Sequence, residues 1–418
     1  MTAHGKGPPF IWRNYILFSI DGGLYMGGMC FLSAETILPG IVKDLGGANW
    51  LIALMPVMMG LGWFLPPLFT AHIVERLHKV KRYTLLIGIF QRAPYVIAGT
   101  TLLLWKDIPT SDALWIVALA PLLSGLFGGF GATSFWELTS RIIPRNRMAS
   151  VNSLRFIITV LLGISAGFAV KDILTIYPGI TGYGIMHLIA FGFLTASWFA
   201  ISMVDEIHVP EKKNGGRTVD LIDNLSSVPE IIRNDHKLRN LMLSIFFGYG
   251  YYVAIPFLAI HAMHVLGKDL SYSGVLLTVQ MIGGITGNII AGFVGDYYGC
   301  RHILVISRSL SILLFFLLPY ASTEWQFLVI FFIFGMVFFM DRVANMAYPI
   351  QISPDDKRPT YVSLVTVIMF PAALGATLTS SFIRSATESI IPSALISLAA
   401  MLVSLFYVLK IGTEDARR

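Results

Sequence analysis

Ionisable side chains inside long apolar runs of this sequence include Asp21, Arg92, Glu137, Arg155, Arg308, Asp341 and Arg342. A charge at bilayer depth costs at least about 2.5 kcal/mol, so each one requires a partner or a path to water. At about 1.5 Å per helical residue, Asp21 and Arg92 stand about 12 and 15 Å into their runs, near the midplane, and the other five lie nearer the run ends. A midplane carboxylate can take up or release a proton according to whether a cation or a substrate stands beside it. Asp21 and Arg92 are therefore the candidates for substrate or proton coupling, and a static ion pair locking the first half of the chain fits them equally. Gly22 and Gly23 follow Asp21, with Gly27 and Gly28 a turn later, which predicts a weakened helix beside the carboxylate. Glu137 and Arg155 sit at similar depth on consecutive runs and are candidates to pair. Asp341 and Arg342 are adjacent and point about 100° apart on a helix, so Arg308 is the candidate partner of Asp341. These five read as gating or intramembrane ion pairs. Tyr25, Trp136, Tyr249, Tyr251, Gln280 and Asn345 are candidates to line a cavity.

The elements that must hold these groups follow from composition. The 418 residues carry 30 basic and 24 acidic side chains, and the charged fraction of 13% is about half the 25% or so of soluble proteins. With 55% hydrophobic residues and a mean hydropathy of +0.71, an ordinary water-soluble enzyme is excluded. Twelve apolar runs of roughly 20 residues can be marked, six within 14–204 and six within 239–411. They must be helices, because hydrocarbon offers no partner to an unpaired backbone group. The expected fold class is all-α, twelve transmembrane helices in two pseudo-symmetric six-helix bundles. The first run is too long for a signal peptide and reads as a retained span.

Basic residues collect on one side of this arrangement, among them Arg76, Lys79, Lys81, Arg82, Arg141, Arg145, Arg147 and Arg301, whereas the other side has only Lys43, Lys106, Lys171, Lys268 and Arg384. Lysine and arginine favour the cytoplasmic face, which predicts a multi-pass protein of the plasma (inner) membrane with both termini cytoplasmic. The net charge of +6 thus reports orientation, and no nucleic-acid partner is expected. Cys30 and Cys300 are too few for a disulfide framework or a cysteine zinc site, and no metal or cofactor is expected.

The organisation reads as a first bundle over 1–204, a cytoplasmic linker over 205–238 and a second bundle over 239–418. Within the linker, Val219, Leu221, Ile222, Leu225, Val228, Ile231 and Ile232 recur at roughly helical spacing, as in an amphipathic surface helix. The halves also repeat. An offset of 221 aligns Gly27 with Gly248, Leu45-Gly46 with Leu266-Gly267, Gly62 with Gly283 and Glu75 with Asp296; an offset of 210 aligns Pro144 with Pro354 and Ser153-Leu154 with Ser363-Leu364. Two similar six-span halves are a pattern of secondary transporters.

The segment from Gly287 to Arg301, with Gly292, Gly295, Asp296, Gly299 and Arg301, resembles the signature loop of the major facilitator superfamily, Gly-x-x-x-Asp-x-x-Gly-x-Arg. Its first-half copy, with Glu75 and Arg76, keeps an acid and a basic tail and lacks the glycines. The resemblance implies a latch between the halves on the cytoplasmic side, carried by Asp296 and Arg301 and, more weakly, by Glu75 and Arg76. Gly292 and Gly295 are small enough for close helix approach.

The expected function is a secondary transporter moving a small solute by alternating access, a proton-coupled monomer whose partners are that solute, protons and the bilayer. A Gly-rich loop with lysine for nucleotide is missing from the sequence, which argues against ATP drive by this chain. A transporter-like sensor that binds without translocating is the alternative. A weaker one is an intramembrane enzyme, for which His261 and His264 offer helical i, i+3 spacing and lack a third ligand.

Overall fold

A chain crossing hydrocarbon must satisfy its own backbone hydrogen bonds, and in the computed structural model every regular element among the described residues is helical. The described residues are 9–64, 66, 70, 74, 77, 79–144, 147–206, 233–353, 358–387 and 389–412. The amphipathic helix expected between Val219 and Ile232 lies outside them.

Two compact units are distinguished: Met1–Pro210 with Gly267–Thr278, and Glu211–Leu266 with Val279–Arg418. The first unit contains α1 (Pro9–Met29), α2 (Leu38–Asp44), α3 (Asn49–Phe64), α4 (Val80–Leu104), α5 (Thr110–Ile142), α6 (Met148–Ile176) and α7 (Ile180–Ser202). In the second half follow α8 (His236–Gly248), a 3-10 turn (Tyr249–Val253), α9 (Ile255–Leu266), α10 (Tyr272–Tyr298), α11 (Cys300–Leu317), α12 (Glu324–Ile352), α13 (Arg358–Ala386) and α14 (Ile391–Lys410). Among the described residues ten helical segments are long and apolar enough to cross a membrane, α8 and α9 counting as one. The other two of the twelve expected runs fall on α3, a shorter apolar helix, and α13, a helix of 29 residues.

In the first unit α1 lies against α6 and α7, α4 against α5 and α7, and α3 against α5. In the second, α11 lies against α12 and α14, and α8 against α13 and α14. Phe18, Val80, Leu138, Val151 and Ile201 form part of one buried core, and Leu238, Leu241, Leu304, Met340 and Val408 part of the other. Lipid is as apolar as leucine, so close packing rather than water exclusion holds such helices together. Glycine permits it: a Cβ on Gly62 would strike the α5 backbone at Leu122, and one on Gly125 the α3 backbone at Met59. The repeat reproduces this crossing, with Gly283 of α10 against Phe332 of α12 and Gly335 of α12 against Gln280. The aligned Gly46 and Gly267 likewise end α2 and α9 in the left-handed conformation, at φ +75° and +61°.

The helix expected to be weak beside Asp21 is unbroken, for α1 runs from Pro9 to Met29. Its glycines instead let neighbours close in: Arg155 of α6 fills the space over Gly22, Ile158 that over Gly23, and Phe193 of α7 that over Gly28. The break falls in the second unit, where α8 gives way at Tyr249 to the 3-10 turn.

Candidate functional site

Asp21 stands at the centre of the apolar span of α1, Trp12–Leu32, and Arg92 at that of α4, Val80–Leu104. Both are buried. They are joined through a third residue: Ser197 of α7 donates its hydroxyl to Asp21 Oδ1 at 2.7 Å, and Arg92 Nη2 donates to Ser197 Oγ at 3.2 Å. The remaining nitrogens of Arg92 are held by backbone, Nε by Leu194 O at 2.6 Å and Nη1 by Gly88 O at 2.7 Å. Its guanidinium lies 5.8 Å from the centre of the Tyr25 ring, and the Tyr25 hydroxyl accepts from Gln91 Nε2 at 2.7 Å. Arg155 completes the surroundings. Its guanidinium covers the Phe18 ring at 4.3 Å and, with Arg92, exerts a direct charge interaction on Asp21. One carboxylate, two cations and a hydroxyl between them form a buried polar centre whose charge balance changes with one proton.

A second centre lies in the other unit. Asp341 of α12 accepts from Ser307 Oγ through Oδ1 at 2.5 Å and from Arg308 Nη1 through Oδ2 at 2.5 Å. Arg308 is almost wholly buried and occupies the space over Gly248, as Arg155 does over Gly22. Arg342, next to Asp341, is exposed and lies over the Phe338 ring at 4.7 Å.

The expected pairing of Glu137 with Arg155 is not formed. Glu137 takes Arg141, one helical turn away, at 2.9 Å, because a partner at i+4 on the same helix needs no interhelical approach. Arg141 also reaches Glu206 at 2.9 Å, and Glu206 accepts from the first backbone amides of α4, Val80 at 3.1 Å and Lys81 at 3.2 Å. Beside it, Asp205 pairs with Arg13 at 2.7 Å and its backbone bonds Asn14 in both directions. This network joins the ends of α1, α4, α5 and α7.

Among the signature-loop residues, Glu75 and Arg76 lie outside the described residues, as does the side chain of Asp296 on α10. Gly292 faces open space, so the close approach expected there is absent; a Cβ on Gly295 would touch Ile303 at 3.0 Å. Arg301 donates to Val408 O at 3.2 Å and Leu409 O at 3.0 Å, capping the last carbonyls of α14. Of the cavity candidates, Trp136 is half exposed, Tyr251 packs on Tyr252 at 4.1 Å, Gln280 is buried, and Tyr249 and Asn345 are partly buried. His261 lies edge-on to Phe327 at 5.8 Å and His264 is exposed; among the described residues no three metal-ligating side chains gather.

Ser197 and Glu206 were missed in the sequence. Ser197 had a signal, since a small hydroxyl in an apolar span is a preferred interhelical hydrogen-bonding group. Glu206 sits where the polar stretch begins and reads as one loop charge among several.

The helices and their buried ionisable centres define an integral membrane protein with a solute transporter's fold. Residues 241–417 match the family model of the Major Facilitator Superfamily. An uncharacterized MFS-type transporter of Bacillus subtilis (strain 168), YqjV, is 25% identical over 158 residues, 37% of this chain and 38% of that protein. The chain thus matches well under half of that relative's length. Among solved structures, a D-xylose-proton symporter superposes with a TM-score of 0.73 at 12% identity, covering 98% of this chain and 99% of that one. A variant of the nucleoside transporter NupG gives 0.69 at 14% identity, covering 96% and 99%. The family match thus covers residues 241–417, the likeness of fold extends over nearly the whole chain, and these relatives are transporters rather than enzymes.

Proposed function

We propose that this protein is a secondary transporter that moves a small solute across the membrane by alternating access, coupled to protons through Asp21. The Asp21–Ser197–Arg92 relay carries the reading. With Asp21 ionised, its carboxylate accepts from Ser197 and balances part of the charge of Arg92 and Arg155. Protonation weakens that acceptor by removing its charge and takes from both cations the carboxylate that balances them in low dielectric, where charge interactions are strongest. Contacts among α1, α4, α6 and α7 then differ in energy between the two protonation states, and a bistable bundle can follow that difference. The described superposition on a D-xylose-proton symporter supports proton coupling by likeness of fold. The side bearing Lys81, Arg141 and Arg301 is cytoplasmic in this reading.

The test is uptake into proteoliposomes under an imposed proton gradient, with a metabolite panel as probe. Asp21→Asn is expected to abolish gradient-driven accumulation while solute exchange without a gradient persists. Accumulation by Asp21→Asn at the wild-type level would remove Asp21 from coupling.

A further inference from the structure

Four arginines lie within the spans, and three are engaged. Arg92 holds two carbonyls and Ser197, Arg155 lies over the Phe18 ring and interacts with the charge of Asp21, and Arg308 is paired with Asp341. Arg342 differs: it is exposed, and among the described residues no carboxylate pairs with it. The carboxylate beside it in sequence is taken, since Asp341 gives one oxygen to Ser307 and the other to Arg308.

The apolar part of α12 spans Glu324–Pro349, which places Arg342 about 8 Å from its middle. An exposed guanidinium at that depth cannot face acyl chains without a cost of at least about 2.5 kcal/mol, so its open side faces water. Its surroundings are those of a recognition group. Phe338, one turn earlier, places its ring 4.7 Å from the guanidinium carbon, within cation–π distance. Tyr249, in the 3-10 break after α8, interacts with its charge. Asn345, three residues on and therefore on the same face, has a buried Oδ1 with no donor.

We infer that Arg342, with Tyr249 and Asn345, binds an oxyanion of the solute, a carboxylate or a phosphate, on a molecule that also carries a hydroxyl or amino group. The guanidinium and the phenol supply donors to the anion. The Asn345 carbonyl takes the solute's own donor, which would satisfy its buried oxygen. The word solute rests on the transport reading; the binding chemistry does not.

The experiment uses the purified full-length protein in detergent and matched probes: lactate against lactamide, serine against serinol, and glycerol 3-phosphate against glycerol. Thermal shift and calorimetry are expected to show binding of an anionic member, none of its neutral or cationic partner, at least tenfold loss in Arg342→Gln and a smaller loss in Arg342→Lys. The carboxylate and phosphate arms separate the two anions. Equal binding by a pair, unchanged affinity in Arg342→Gln, or no charge-dependent binding across the panel overturns the proposal. As a second measurement, Arg342→Cys in a Cys300→Ser background is expected to react with a water-soluble thiol reagent, and failure to react also overturns it. Binding is read in detergent without a proton gradient and accumulation in proteoliposomes with one, so failure of proton coupling and failure of the anion site give different results.

Discussion

Asp21 and Arg92, each at the middle of its span, are joined through the hydroxyl of Ser197 and not to each other. A direct pair would be a fixed lock. A relay through one hydroxyl can be rewired, because serine both donates and accepts and its proton can rotate. The second unit is built otherwise. There Ser404 of α14 and Ser244 of α8 face each other at 3.1 Å, and the buried carboxylate lies instead on α12 with Arg308. The two halves share a helix plan and place their charge on different helices.

Ser197→Ala tests the relay. It strips a buried carboxylate of its hydroxyl donor and Arg92 of an acceptor, which should lower stability by about 1–3 kcal/mol, read as a lower melting temperature in detergent. Ser197→Thr keeps the hydroxyl and should recover most of that loss. Equal melting of Ser197→Ala and wild type would show the hydroxyl to be dispensable.

Arg308 and Asp341 form a buried pair whose members are worth little apart. Removing one partner leaves an uncompensated charge and should cost about 3–5 kcal/mol, whereas replacing both with apolar residues should cost far less. Melting temperatures of Arg308→Met, Asp341→Leu and the double variant measure this. Additive losses would show that the pair is not an energetic unit.

Ten of the twelve expected spans, the aligned glycines of the half-chain repeat and Arg308 as the neighbour of Asp341 are legible because each rests on a local rule: apolar run length, backbone freedom, and the need of a buried charge for a partner. The repeat is visible in backbone terms, with Gly46 and Gly267 both left-handed. Contacts between helices were not legible. Glu137 was assigned across helices although Arg141 stood at i+4, and the glycines after Asp21 were read as weakness because a sequence does not show that Arg155 and Phe193 fill the room they leave. Hydropathy gives a helix its length and says little of its rotation, so which polar side chain meets which is decided by packing.

Gly46 and Gly267 separate backbone strain from crowding. A Cβ at either meets nothing within 4 Å, so alanine there costs only the left-handed conformation, about 1 kcal/mol. Gly62→Ala has the opposite problem, ordinary space in φ and no room against α5, and should cost more, about 1–3 kcal/mol. Melting curves that rank Gly46→Ala and Gly267→Ala together and Gly62→Ala below them would agree; the reverse order would show that the α3–α5 crossing yields.

Glu206 makes the most exacting prediction because it acts on two elements at once. Its two oxygens accept from the Val80 and Lys81 amides, the orphan donors at the start of α4, and one of them also meets Arg141 from the end of α5. A carboxylate at a helix N-terminus is favoured by the helix dipole as well as by the hydrogen bonds. Glu206→Ala should therefore cost about 1–2 kcal/mol and speed hydrogen exchange at Val80 and Lys81 while leaving the middle of α4 protected. Glu206→Gln keeps an acceptor but loses the charge, so exchange at those amides should rise less. If Glu206→Ala left both amides as protected as in wild type, α4 would be capped by something else and the joint at this end of the bundle would rest on the bonds of Arg13 and Asn14 to Asp205 and of Lys81 to the Val204 carbonyl.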